Sequence, residues 1–283
     1  MSQMDVVTLG EHDAEQRGYW DAKRSDDINL LLGVDDGLYH HHYGIGDYDH
    51  SVLEAPAETR EELILRELHR LEGAETELIL DALGEVRPEH RVMDAGSGRG
   101  GTSFMIADRF GCRVDGVNYC AHHVEFTQKL ARERGSADRV GFHFANMMQT
   151  PFEDDTFDFI VSNETTMCVD LDKAFAEFAR VLRPGGRYVA VTWCRNDVVE
   201  DRSVASQQID DHYLCAMHTR SKYFEALSAN GFVPFHVQRY TDEAIPYWEL
   251  REHSTMRTGV EEPFLTGFRE RSIDYLVIAS ERL

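Results

Sequence analysis

Long apolar runs are missing from this 283-residue chain; none approaches the roughly 18 to 20 residues that a membrane span needs. The opening stretch MSQMDVVTLGEHDAEQRG carries acids where a secretory signal would carry an apolar core. Neither export nor membrane insertion is expected, and the reading places the protein in the cytoplasm. Closely spaced cysteine pairs are missing too. Cys112, Cys120, Cys168, Cys194 and Cys215 are scattered without a CxxC unit, which fits reduced thiols better than a disulfide framework or a structural zinc site. Positive charge is scarce, with 29 Lys and Arg against 51 Asp and Glu and a net charge of -22. Such a field repels nucleic acid and anionic lipid surfaces, so neither is an expected partner. A small phosphorylated substrate stays open, because a local basic pocket or a divalent cation offsets the field within a Debye length of about 8 Å.

What is present is enough for a folded core. Hydrophobic residues make up 42% of the chain, a fraction that excludes a largely disordered polymer, and the length suits one main domain with an appended cap. The first fifty residues have weak periodicity and end in Gly37-Leu-Tyr-His-His-His-Tyr-Gly-Ile-Gly-Asp47, which reads as an irregular or short-helical arm. From about Glu58 the spacing of Leu63, Leu68, Leu71, Leu78 and Leu83 predicts a helix that stops before Arg87-Pro88. Short apolar strands then alternate with helical stretches: Arg91–Asp94, Cys112–Val117, Phe157–Val161 and Tyr188–Trp193. Phe175, Phe178, Ala179 and Leu182 form the stripe of a helix that packs on a sheet, and Pro184-Gly185-Gly186 is expected to end it. A helix over Arg220 to Ala229 and strands over Phe232 to Tyr240 and Ser272 to Ser280 complete an α/β pattern with a mainly parallel sheet covered on both faces. Ligands in such sheets bind at the carboxyl ends of the strands.

The strand Val92-Met-Asp-Ala runs into Gly96, Gly98 and Gly101 at the spacing of a dinucleotide fingerprint, and a nicotinamide enzyme has to be considered. Asp94 argues against it: a carboxylate at the strand tip would face a pyrophosphate with like charge, whereas it suits a cationic group such as an amino acid's ammonium. Asn118 closes the next strand where a ribose diol is usually held, and can both donate and accept. Asn146 and Met147 stand in the loop expected beside an adenine. Together with Leu182-Arg-Pro-Gly-Gly186, this ordered set resembles the S-adenosylmethionine-dependent methyltransferases over roughly Glu75 to Leu283. That resemblance implies a Rossmann-like class I fold, a mostly parallel seven-stranded sheet with an antiparallel strand near the C-terminus, and S-adenosylmethionine as cofactor. Asn118 departs from the family's usual acid.

The arm motif, joined by Ser162-Asn-Glu-Thr-Thr-Met-Cys-Val-Asp170, resembles the geranyl diphosphate C-methyltransferases and their prenyl diphosphate relatives. The resemblance implies a geranyl or farnesyl diphosphate acceptor, Mg²⁺ bound through its diphosphate, and methyl transfer to an alkene carbon. Such chemistry passes through a carbocation that then loses a proton, so an aromatic lining and one base are needed. Glu164 is the expected base, with Tyr43, Phe224 and Trp193 as cation-facing rings, each giving about 0.5 to 2 kcal/mol where well placed; Tyr223 is a further candidate ring. His40, His41, Tyr43, Arg202, Arg220 and Lys222 are the expected substrate contacts, with Arg257 as a competing donor. The three consecutive histidines point in different directions in an extended segment, so they are read as donors to a diphosphate and not as one metal site; protein ligands to a metal stay unknown. The expected division is an arm and cap over the active site from residue 1 to 74, and a cofactor-binding domain from 75 to 283 with a substrate-pocket insertion at about 194–230. Another small lipid-like acceptor, such as a sterol, a quinone precursor or a phosphorylated amine, remains a rival, as do a non-catalytic binding module and an oxidoreductase. A homo-oligomer stays open.

Overall fold

The strands seen in the sequence lie side by side in a computed structural model that describes residues 11–23, 27–198 and 201–283. They are β1 (Arg91–Ala95), β2 (Arg113–Asn118), β3 (Val140–Phe144), β4 (Phe157–Asn163), β5 (Leu182–Arg195), β6 (Phe232–Arg239) and β7 (Ile273–Arg282). Their order in one sheet is β3-β2-β1-β4-β5-β7-β6. The first five pair in parallel, and β7 runs antiparallel to both β5 and β6. Strand order therefore reverses between β1 and β4, and the carboxyl ends of these two strands open the crevice where ligands bind in such sheets.

Strand side chains alternate between faces, and this splits the core in two. Val92, Val114, Val161, Val189 and Val191 pack with α4 (Ala57–Leu83) and α5 (Gly101–Phe110) on one face. Met93, Val117, Ile160, Tyr188 and Ala190 pack on the other with Phe175 and Phe178 of α7 (Leu171–Val181) and Leu227 of α9 (Arg220–Ala229). α6 (Ala121–Glu133) contributes Val124 and Ala131 to the first face. α7 starts where the Asp170 carboxylate accepts the Lys173 N–H.

One sequence expectation needs correction. Pro184-Gly185-Gly186 does not end α7, which stops at Val181; it lies within β5, where the register slips between Leu182↔Phe157 and Arg187↔Phe159 and Gly185 takes φ +75°. Proline offers no N–H to the ladder and glycine accepts a positive φ, so the segment forms a bulge. The expected division between arm and domain at 74/75 lies inside α4, a continuous helix with Leu71, Ile79 and Leu83 in the core. The insertion at about 194–230 contains α8 (Val204–Tyr213), but its second helix, α9, packs on α7 and β6 under the sheet. The rest of the cap comes from α10 (Thr241–Glu252) and α11 (Glu261–Arg269), between β6 and β7, a stretch with no expected element. α11 packs on α8 and α10, and α10 packs on α4.

The N-terminal arm is helical at α1 (Glu11–Ala22), α2 (Asp27–Leu32) and α3 (Ser51–Glu54), and irregular from 33 to 50. The irregular part is held down by backbone bonds: the Gly101 N–H donates to Tyr39 O, Ile45 N–H to Leu71 O and Gly46 N–H to Glu243 O. Among the described residues no helix is long and apolar enough to cross a membrane.

Candidate active site

At the end of β1 the chain turns sharply through Gly96 (φ +86°), Gly98 (φ +50°) and Gly100 (φ +90°) into α5. Only glycine tolerates this path, and at Gly96 a side chain would also collide, since a Cβ there would lie 2.4 Å from Thr165 Cγ2. The Thr165 hydroxyl donates to Ala95 O (2.8 Å), tying the loop after β4 to the tip of β1. Asp94 is 1% exposed, accepts a bond from Ser103 Oγ (2.5 Å), and is pushed up to about 6 by burial. Asn118 at the end of β2 donates to Gly98 O (3.4 Å) and accepts from the Cys120 N–H (2.8 Å).

These tips floor a cleft of about 760 Å³, counting its open mouth, roofed by Trp20, Tyr39 and the three consecutive histidines of the arm. Asp94, Gly96, Gly98, Asn118, Met147, His40, His41 and Glu164 all line it. So do Ser97, His123 and Asn163, and among the described residues Ser97 Oγ, His123 Nε2 and Asn163 Oδ1 are buried without a hydrogen-bond partner. Orphaned polar atoms around a concave site are what a bound polar ligand satisfies. A ligand with an amino-acid end, a sugar and a base fits this donor set, with the Asp94 carboxylate at the strand tip.

Glu164 follows β4 immediately and carries φ +48°, a left-handed conformation uncommon for a residue with a side chain. Such strain persists where the surroundings over-determine it, and often at sites of function. Here the Glu164 N–H donates to Val191 O (2.9 Å), and the half-buried carboxylate accepts from the Tyr43 N–H (3.2 Å), Trp193 Nε1 (3.3 Å) and the Tyr275 hydroxyl. Trp193 and Tyr275 are cross-strand partners on β5 and β7, which is why both reach the same carboxylate. Burial pushes Glu164 up to about 7, against the pull of the Tyr275 bond. Behind it Glu75 is fully buried, accepts from Asn163 Nδ2 (2.9 Å) and contacts His42 Nδ1 (3.0 Å). Burial, and then the Glu164 charge, hold Glu75 well above the usual carboxylate range. The Tyr275 hydroxyl lies between the two acids, 3.5 Å from Glu75 Oε1, so their simultaneous ionisation is disfavoured; Glu164, open to the cleft, ionises first.

A family model described as a methyltransferase domain matches residues 93–190. The geranyl diphosphate 2-C-methyltransferase of Saccharopolyspora erythraea is 49% identical over 94% of this chain and 93% of its own length; that of Streptomyces lasalocidi is 46% identical over 94% and 88%. A solved geranyl diphosphate methyltransferase in complex with geranyl diphosphate and sinefungin superposes with TM-score 0.92 at 45% identity, over 96% of this chain and 99% of that one. The Streptomyces coelicolor geranyl diphosphate C-methyltransferase, in complex with Mg²⁺, geranyl diphosphate and S-adenosyl-L-homocysteine, superposes with TM-score 0.92 at 38% identity, over 98% of this chain and all of that one. The chain belongs to the geranyl diphosphate 2-C-methyltransferase family. It is an S-adenosylmethionine-dependent C-methyltransferase of class I topology.

Within this C-methyltransferase the structure gathers some expected residues and separates others. Tyr43 and Trp193 reach Glu164, although neither forms the cleft wall; the Tyr43 ring packs on Trp248 (centroids 4.3 Å apart) and its hydroxyl meets that of Tyr213. Phe224 is away from the cleft, packed beneath the sheet with α7 and β6 neighbours, because α9 belongs to that layer. Tyr223 is buried in the same layer, its hydroxyl bonded to Thr166 and Thr192. Asn146 also misses the cleft: it donates to Asp13 (2.9 Å) and accepts from the Met148 N–H (2.9 Å). Arg202 pairs with Asp210 (2.7 Å), Arg220 with Asp274 (3.3 Å) and Asp197 (3.6 Å), and Lys222 with Asp172 (2.9 Å); none lines the cleft. Acids outnumber bases, so these cations are drawn into local ion pairs. Arg257 is exposed, also outside the cleft. His40 and His42 share one side of their extended segment, Nδ1 to Nε2 at 3.0 Å, while the ring of His41 turns to His123. Burial pushes His42 down to about 4 and His40 down as well, so both rings are neutral near pH 7.

Sequence reasoning missed Glu75, Tyr275, Trp20 and His123. Asn163 beside Glu164 was a usable signal for Glu75, since a buried amide needs a partner; nothing local marks Tyr275.

Proposed function

We propose that the enzyme methylates an alkene carbon of geranyl diphosphate, with Glu164 as the base that restores the double bond. The observation that carries this reading is one carboxylate lining the methyltransferase crevice, held by three donors and poised near neutrality by burial. S-adenosylmethionine, when bound, supplies an electrophilic methyl group. Asp94 and the glycine turn receive its amino-acid end, and Asn118, Met147 and His123 surround the nucleoside. As the alkene carbon takes the methyl, positive charge develops on the adjacent carbon; ionised Glu164 stabilises it and then accepts the proton. Trp193, Tyr43 and Tyr275 keep the carboxylate aimed, and the packed layer of Tyr43, Trp193, Trp248 and Phe264 behind it supports them.

Among the described residues no Lys or Arg lines the cleft, and its only carboxylates are Asp94 and Glu164, both deep and hydrogen-bonded. A diphosphate entering a chain of charge -22 therefore needs a counter-ion, and no acidic cage waits at the mouth for it. Mg²⁺ suits this as a hard cation carried on the diphosphate and water oxygens, with the His40 and His41 rings as donors to the anion.

The test is incubation with labelled S-adenosylmethionine, Mg²⁺ and geranyl or farnesyl diphosphate side by side, with product structure by mass spectrometry and NMR. An acid-labile, hexane-extractable methylated geranyl product supports the reading. Label entering only a sterol or quinol acceptor overturns it; faster methylation of farnesyl diphosphate moves the chain length.

A further inference from the structure

Where β2 gives way to α6, the sequence Cys120-Ala-His-His123 brings a thiol and two imidazoles together. One ligand atom from each of Cys120, His122 and His123 lies within 4.8 Å of the others. Cys120 is fully buried at the N-cap of α6, where burial and the Asp21 charge push its thiol up to about 12, and His123 is 2% exposed with Nε2 lacking a hydrogen-bond partner. A fourth donor comes from the arm: Asp21 on α1 places Oδ1 3.8 Å from His122 Nδ1 and is also a close neighbour of Cys120. Sulfur, two ring nitrogens and a carboxylate oxygen are a donor set for zinc. Tetrahedral Zn²⁺, with Zn–S about 2.3 Å and Zn–N about 2.0 to 2.1 Å, needs donors roughly 3 to 4 Å apart, so small side-chain rotations close the set.

We propose that Cys120, His122 and His123, completed by Asp21, form a site for Zn²⁺ or a similar borderline-soft cation that clips α1 to the β2–α6 turn and competes with the cofactor. Competition follows from His123. Its ring lies beside Asn118 (3.5 Å between Nδ1 and Nδ2) and faces His41 across 5.1 Å, and all three residues line the cofactor cleft. The buried Nε2, which has no partner, cannot serve the metal and the nucleoside at once, and linkage makes the antagonism reciprocal. This metal is separate from the diphosphate-borne Mg²⁺: Mg²⁺ prefers oxygen ligands and has no use for a thiolate.

The experiment uses the full-length, cofactor-free enzyme and Co²⁺ as a spectroscopic stand-in for Zn²⁺. One equivalent of Co²⁺ is expected to give a thiolate-to-cobalt charge-transfer band with the intense visible bands of a tetrahedral site, lost on adding Zn²⁺. Cys120→Ser is expected to abolish the charge-transfer band, and His122→Ala and Asp21→Asn to weaken Co²⁺ binding about tenfold or more, whereas Cys194→Ser leaves the spectrum unchanged. Saturating Zn²⁺ should weaken S-adenosylmethionine binding to the parent about tenfold or more, and leave it within twofold in Cys120→Ser. Thermal unfolding of each variant without metal checks that it folds. A charge-transfer band that survives in Cys120→Ser, only weak octahedral bands in the parent, or cofactor affinity indifferent to Zn²⁺ would overturn the proposal. None of these readouts involves the prenyl substrate, so the outcome is independent of the acceptor assigned above.

Discussion

The two walls of the cleft are made in different ways. The wall toward the cofactor is contiguous: Asp94, Gly96, Gly98 and Gly101 follow one another at the tip of β1, and backbone geometry does most of the shaping. On the other wall Glu164 is held from behind by residues gathered from the whole chain and outside the cleft lining, Tyr43 from the arm, Trp193 from β5 and Tyr275 from β7, with Glu75 of α4 beyond Tyr275. In the proposed function the first wall holds the cofactor with donors preset by the backbone. The second collects buried acids and phenols, and its electrostatics come from mutual burial. A binding surface can thus be specified by a short turn, whereas a proton acceptor poised near neutrality needs several distant elements to close on it.

The largest effect is expected at the second wall. Glu164→Gln keeps the size and removes the charge, so turnover should fall by about 10² to 10⁴ while S-adenosylmethionine affinity stays within threefold, read by steady-state kinetics and calorimetry. Turnover within threefold of the parent would remove Glu164 as the base and break the contrast between the walls. Asp94→Ala probes the first wall. Loss of a charged hydrogen bond of roughly 1.5 to 3 kcal/mol should weaken cofactor binding about ten- to a hundredfold, measured by calorimetry on the folded variant. Unchanged affinity would take the ammonium away from Asp94.

A smaller effect concerns pH. Glu164 is held up at about 7 in the fold, above its ordinary range, and must be ionised to act; turnover should therefore climb as pH rises through about 7 and level off above it. The Tyr275 bond lowers that value, so Tyr275→Phe should move the rising limb to higher pH by about half to one unit, a three- to tenfold loss on the acid side that vanishes at alkaline pH. An unmoved limb would mean that another group sets the profile. The sign for folding is the opposite: the native state binds the Glu164 proton more tightly than the unfolded chain does, so this group's contribution to stability is greatest below the unfolded carboxyl value and declines as pH rises toward 7. The smallest effect is expected at Lys222→Ala, on an exposed pair with Asp172 outside the cleft; kcat and KM for the diphosphate should stay within about a factor of two. A large rise in KM would place a phosphate contact on α9.

What could be read from the sequence follows the same division. The helix over 57–83, the β1 glycine turn and Glu164 at a strand end are each announced by residues within a few positions of one another, whereas the antiparallel final strand was implied only by the family resemblance. α10 was not legible: Pro246 lies inside it, and Tyr247, Trp248, Leu250 and Arg251 are all buried, so it shows no clean apolar stripe against a polar face. The cations were misplaced for a related reason. Arg202, Arg220 and Lys222 look available in a list of residues, but in a chain with 51 acids each finds a carboxylate before it can face a ligand.

By itself the sequence determined the α/β layering, the glycine turn with its acid at the strand tip, and the position of Glu164, because strand alternation, positive-φ turns and strand ends are local properties of the chain. Only the tertiary structure decided which aromatic rings stand near the carboxylate, that Glu75 shares Tyr275 with Glu164, and that Asp21 of the arm meets Cys120 and His122. Those outcomes depend on burial and on contacts between residues as far apart as 43 and 164 or 164 and 275, and no local pattern encodes the desolvation that sets an acid near 7.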